Sequence, residues 1–134
     1  MVAGANVNSS PPTSNFATLT GTQTLTNKRV KPRLVTVTQS ATPATDTDNG
    51  DIFTITGLAQ AITSMTTNLT GTPADGEKIE FRITDNGTAR AITWGASFAA
   101  TTVALPTTTV ISTRLRVGFE WDAAASVWAC LAVA

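Results

Sequence analysis

The stretch EKIEFRITDNGTARAITW (residues 77–94) decides how the chain is read. Ile79, Phe81 and Ile83 alternate with Lys78, Glu80 and Arg82, so an extended backbone puts three apolar side chains on one face and three charged ones on the other. That is the pattern of a half-buried strand. Asp85-Asn86-Gly87 follows as a tight reversal, with Gly87 suited to the positive φ of a bulged hairpin loop, and 88–94 reads as a second strand. The pattern predicts a hairpin.

The C-terminal region repeats the arrangement. In STRLRVGFEW (residues 112–121) Leu115, Val117, Phe119 and Trp121 are in the inward phase and Arg114, Arg116 and Glu120 in the outward phase, and SVWACLAVA (126–134) returns after a turn at 122–126. Strand-like segments fall near 33–39, 51–56, 58–64, 77–84, 88–94, 109–121 and 126–133, separated by the turn formers ATPATDTDNG, GTPADG, TDNGT and WDAAAS. Threonine supplies 27 of the 134 residues, and its β-branched side chain packs well on a pleated sheet while losing rotamer freedom in a helix. Roughly seven short strands at this spacing predict an all-β fold, an antiparallel sandwich or barrel; of the two, an antiparallel β-sandwich of jelly-roll type is expected. Residues 1–24 lack a periodic apolar pattern and are rich in Asn, Ser, Pro, Thr and Gly, so they are expected as an extended arm before a β-domain spanning 25–134.

Charge and chemistry narrow the function classes. Nine basic residues balance nine acidic ones, and charged residues make up 13% of the chain against a usual figure of about 25%, so no global field draws in nucleic acid. The N-terminal MVAGANVNSSPP has no basic segment followed by an apolar stretch, and no run approaches the roughly 18 apolar residues of a membrane helix. Neither nucleic acid nor membrane is expected as a partner. Cys130 stands alone in VWACLAVA, which excludes a disulfide within the chain and suits a small buried hydrophobe.

There is no histidine and no tyrosine, so acid and base work would fall to carboxylates or lysine. Asp75 with Glu77, or Glu80 with Glu120, would be the pairs to consider; Glu80 and Glu120 share strand faces with Arg82, Arg114 and Arg116, which predicts a ladder of opposite charges instead. No enzyme is expected. In DTDNGD the acids Asp46, Asp48 and Asp51 are hard oxygen donors, but Gly50 is fifth and residue 57 is glycine, where a calcium loop wants glycine sixth and an acid twelfth. The loop reads as a turn, with no metal expected. Neither a P-loop nor a GxGxxG spacing occurs, and no cofactor is expected.

TLTNKRVKPRLVTVT (residues 24–38) places Lys28, Arg29, Lys31 and Arg33 within six positions, out of nine Lys and Arg in all. Pro32 forbids a helix there and holds Lys31 extended. The cluster has two readings: charges that dock the domain onto an acidic surface, or gatekeepers that keep a hydrophobic strand from edge-to-edge aggregation.

LTNKRVKPR, ATPATDTDNGDIFTITGLAQAIT, GTPADGEKIEFRITDNGTARAITW, LPTTTV and FEWDAAASVWACLAVA, taken together, resemble a β-domain that recurs in tailed-bacteriophage virion proteins, including tail-fibre-like, minor tail and capsid-surface proteins. The resemblance covers about residues 25–134 and implies a non-enzymatic structural module of a virus particle. A fibre needs a long shaft, so the short arm favours a capsid decoration or cement protein: a homo-oligomer, with a trimer favoured, that binds the major capsid protein on the outer surface of the head. The alternative is a tail-fibre or tail-tip module that binds a receptor or carbohydrate, with Trp94 or Trp128 as a stacking platform; Trp121 follows the inward phase.

Overall fold

The computed structural model describes residues 29–134, and a compact unit spans Lys31–Ala134. It contains eight strands: β1 (Leu34–Thr36), β2 (Thr45–Asp46), β3 (Ile52–Leu58), β4 (Leu69–Thr70), β5 (Lys78–Asp85), β6 (Phe98–Ala99), β7 (Leu115–Asp122) and β8 (Val127–Val133). No helix occurs among the described residues. The fold is all-β.

The strands do not form the expected antiparallel jelly-roll sandwich. Six of them make one mixed sheet in the order β1-β3-β5-β7-β8-β6, and β2 pairs with β4 separately. β1 runs parallel to β3, and β3 to β5, with Val35 opposite Phe53 and Phe53 opposite Phe81. β2 and β4 are also parallel, as is the isolated bridge between Ile62 and Ile92. The chain therefore winds in solenoid-like turns: each turn lays a long strand on one side and a short strand on another, stacked on the turn before. Equivalent side chains come to lie over one another. Phe53 and Phe81 stack with ring centroids 5.4 Å apart.

The hairpin expected at Asp85-Asn86-Gly87 is absent for a visible reason. The chain does turn there, with Gly87 at φ 93°, but the Asp85 carboxylate accepts from Gly87 N, Ser112 N and the Thr109 hydroxyl. The following residues leave β5 and cross to Ile62. Both edges of β5 are taken by β3 and β7. The strands expected at 58–64 and 88–94 reduce to isolated bridges, Ile62 with Ile92 and Ala91 with Thr108, and the one expected from 109 begins at Leu115.

The C-terminal hairpin forms as read. β7 pairs antiparallel with β5 and with β8, and Leu131 is the extra residue where the register shifts beside Gly118 and Phe119. β8 then pairs parallel with β6, folding the sheet back on the last turn of the winding. Phe53, Ile55, Phe81, Ile83, Val117, Phe119 and Trp128 are essentially inaccessible, so the inward phase read for β5 and β7 holds, except that Trp121 is only half-buried. Close packing also explains Gly71: at φ 124° a side chain is strained, and a Cβ there would run into the Thr47 hydroxyl.

Candidate docking surface

Lys28 lies outside the described residues. Of the other three members of the basic cluster, Arg33 is committed to the body. Its backbone N donates to Asp51 Oδ2 at 2.6 Å, its Nη2 to Oδ1 at 2.7 Å and its Nη1 to the Asp48 carbonyl at 2.5 Å. The Arg33 carbonyl in turn accepts from Asp51 N and Ile52 N. This clasp fastens the start of β1 to the loop before β3. The hydrogen bonds from Arg33 hold the Asp51 carboxyl below its ordinary range and raise the guanidinium above its own. Arg29 and Lys31 are exposed.

Within the compact unit, Leu34 follows Lys31 and Arg33 as a large apolar side chain that is 62% exposed. Residues 31–34 thus form a ledge leading into β1, with exposed Lys31 and Arg33 beside exposed Leu34. Such an edge presents backbone donors and acceptors together with side chains that water solvates poorly.

The remaining carboxylates are engaged within the fold. Asp46 accepts from Asp48 N and from the Asn49 amide, and Asp48 accepts from Thr72 N, so with the Arg33–Asp51 clasp all three acids of the DTDNGD loop cap turns. Asp75 accepts from Ala123 N and Glu77 from Ala74 N. On the outer face of the sheet Glu80 lies between Arg116, at 2.6 Å, and Arg82, at 2.8 Å. Chiefly through the Arg116 hydrogen bonds its carboxyl is lowered to about 2. Lys78 pairs with Glu120 at 2.5 Å, completing the ladder of opposite charges. An open groove of about 250 Å³ runs beside this row, lined by Glu80, Arg116, Gly118, Ala132 and Ala134.

Asp85 is the buried ionic feature that pattern reading missed. Its carboxyl is held below the ordinary range, first by the Thr109 hydroxyl at 2.6 Å and then by Ser112 N at 2.9 Å. The usable signal was that Asp85 occupies the inward phase of β5, after Ile79, Phe81 and Ile83. A carboxylate at such a position needs donors from elsewhere in the chain.

The tryptophans named as stacking platforms are core residues, which corrects that reading. Trp94 is 4% exposed and Trp128 1%, whereas stacking on a sugar needs an open ring face. Trp94 donates from Nε1 to the Pro106 carbonyl at 2.8 Å and packs among Phe81, Phe98 and Phe119. Trp128 meets Trp121 edge-on at 5.3 Å. Cys130 is buried, and burial pushes its thiol up. Among the described residues no helix is long and apolar enough to cross a membrane. No family model, no curated protein and no solved structure matches the chain.

Proposed function

We propose that the protein is a non-enzymatic structural component of a bacteriophage virion, a decoration or cement protein that binds the major capsid protein on the outer surface of the head. The ledge at residues 31–34 carries the reading. It combines exposed Lys31 with exposed Leu34, whereas the carboxylates named above are spent on capping turns and pairing cations. An apolar strip flanked by cations suits attachment to a surface with an acidic rim: the apolar part contributes contact, and the charges set orientation and encounter rate. Each copy needs only a modest interface where many bind one shell. The placement on a phage particle rests on the sequence resemblance.

Electron cryomicroscopy of the virion of the phage that encodes the chain tests this. The expected result is a β-rich density of this size over the head shell, with residues 31–34 facing the capsid. Density confined to the tail, or none on the particle, contradicts it.

A further inference from the structure

We propose that the half-buried indole of Trp121 and the threonine-lined hollows beside the β2–β4 pair form a binding groove for a neutral sugar chain; this stands independently of attachment to the head. Two open hollows meet at Thr70, one of about 170 Å³ with Trp121, Trp128, Pro73 and Ser97 in its walls, the other of about 410 Å³ with Thr45, Asp46, Thr67 and Asn68. Together they have the dimensions of a small-ligand cleft. Trp121 is the one tryptophan of the chain's three that is not buried. Its backbone is clasped on both sides, Trp121 N donating to the Glu77 carbonyl at 2.8 Å and its carbonyl accepting from Gly76 N at 3.0 Å, while Trp128 meets its ring edge-on. A ring held in this way loses little freedom on binding.

The polar groups of the walls suit a ligand that both donates and accepts. The Thr47 hydroxyl donates to the Thr70 carbonyl and the Thr70 hydroxyl to the Thr45 carbonyl, so each keeps lone pairs for a donor from outside. Asn68 Nδ2 donates to the Thr42 carbonyl at 2.8 Å, which leaves Oδ1 to accept. Thr67, Ser97 and Trp121 bond through their backbones only, so that Thr67 Oγ1, Ser97 Oγ and Trp121 Nε1 are free among the described residues. Thr45 Oγ1 is buried and has no partner among them, an exception to the rule that buried polar atoms are satisfied.

The chemistry of the walls selects the occupant. They hold no lysine or arginine, and their one acid, Asp46, already accepts from Asp48 N and from the Asn49 amide. A nucleotide or an acidic peptide would bring phosphate or carboxylate into the groove without a countercharge. A proline tract also docks on open aromatic rings, but it has no backbone N–H to give to the lone pairs of Thr47, Thr70 and Asn68. A lipid chain would cover the hydroxyls without bonding them. A sugar ring joins an apolar C–H face, which covers an indole, to hydroxyls that donate and accept. Two hollows joined at Thr70 suit consecutive rings of one chain.

Because Trp94 and Trp128 are buried, quenching of tryptophan fluorescence by acrylamide reports on Trp121. The full-length chain, free of heads, is titrated with cellohexaose, maltohexaose and hexa-N-acetylchitohexaose. At least one should give a saturable response and protect Trp121 from the quencher, and poly-L-proline should do neither. Calorimetry with that sugar should show affinity lowered about tenfold or more in Trp121→Ala, and lowered several-fold in Ser97→Ala, whose hydroxyl takes no part in the described fold. Ser97→Ala carries the test should Trp121→Ala fail to fold, as judged by far-ultraviolet circular dichroism. No saturable response to any of the three sugars, parental affinity in either folded variant, or protection by poly-L-proline alone overturns the proposal. Failure here leaves the decoration reading untouched, and failure of the chain to bind heads leaves the groove standing.

Discussion

Glu80 accepts hydrogen bonds from two guanidinium groups, those of Arg116 and Arg82, on the outer face of the sheet, and its carboxyl is lowered from the ordinary 4.5 to about 2. A carboxyl whose folded value is depressed adds stability that is fully present above its unfolded value and is lost as pH falls towards the folded one. The melting temperature should therefore fall as pH drops from about 4.5 to about 2, with Asp51 and Asp85, also lowered, adding in the same direction. Glu80→Gln should melt below the parent at neutral pH, by roughly 1–2 kcal/mol for a partly screened charge network, and should lose less on acidification. Parallel pH profiles for the two proteins would remove Glu80 from the explanation. On the opposite face, Phe81 contacts Phe53, Trp94, Phe98 and Phe119, so Phe81→Ala should cost about 3–5 kcal/mol in denaturant unfolding. Lys78→Ala, at an exposed ion pair, should stay within about 0.5 kcal/mol. Similar losses at the two positions would mean that the strand phase is wrong.

Among the elements, β5 is the spine of the sheet, and Asp85 at its end pins the segment that leads into β7 through Thr109 and Ser112. Asp85→Asn keeps one acceptor oxygen and loses the charge, so amide hydrogen exchange at residues 109–113 should accelerate while the β7–β8 ladder stays protected. Uniform acceleration across the sheet would show that Asp85 holds the whole fold and not one connection. The phase of β5 and β7 was legible in sequence because alternation reports which side chains point inward. Their neighbours were not, since the same alternation suits a hairpin and a stacked turn equally. The distinguishing signal was repetition: TPA at 42–44 and 72–74, and AIT at 61–63 and 91–93, recur thirty positions apart, and Ile62 and Ile92 of the second word form the parallel bridge. Arg33 read as a free cation because its partner Asp51 lies 18 positions away. Trp94 read as available because its partner is the Pro106 carbonyl, across a connection without strand pattern.

Across the whole molecule, the members of the basic cluster divide by role. Arg33 fastens β1 to the loop before β3, whereas Arg29 and Lys31 are exposed and carry the proposed attachment to the head. Charges at the rim of an interface act through screened attraction, so their removal weakens binding and flattens its salt dependence. At exposed positions they contribute little to folding. Arg33→Ser, in contrast, should lower the melting temperature through loss of the clasp. The most direct measurement is cosedimentation of the chain with emptied heads across a range of salt concentrations, comparing the parent with the Arg29→Ser, Lys31→Ser double variant. The expected outcome is an unchanged melting temperature, markedly lower head occupancy at physiological salt and a shallower salt slope; occupancy and slope equal to the parent's would show that these charges do not dock the chain.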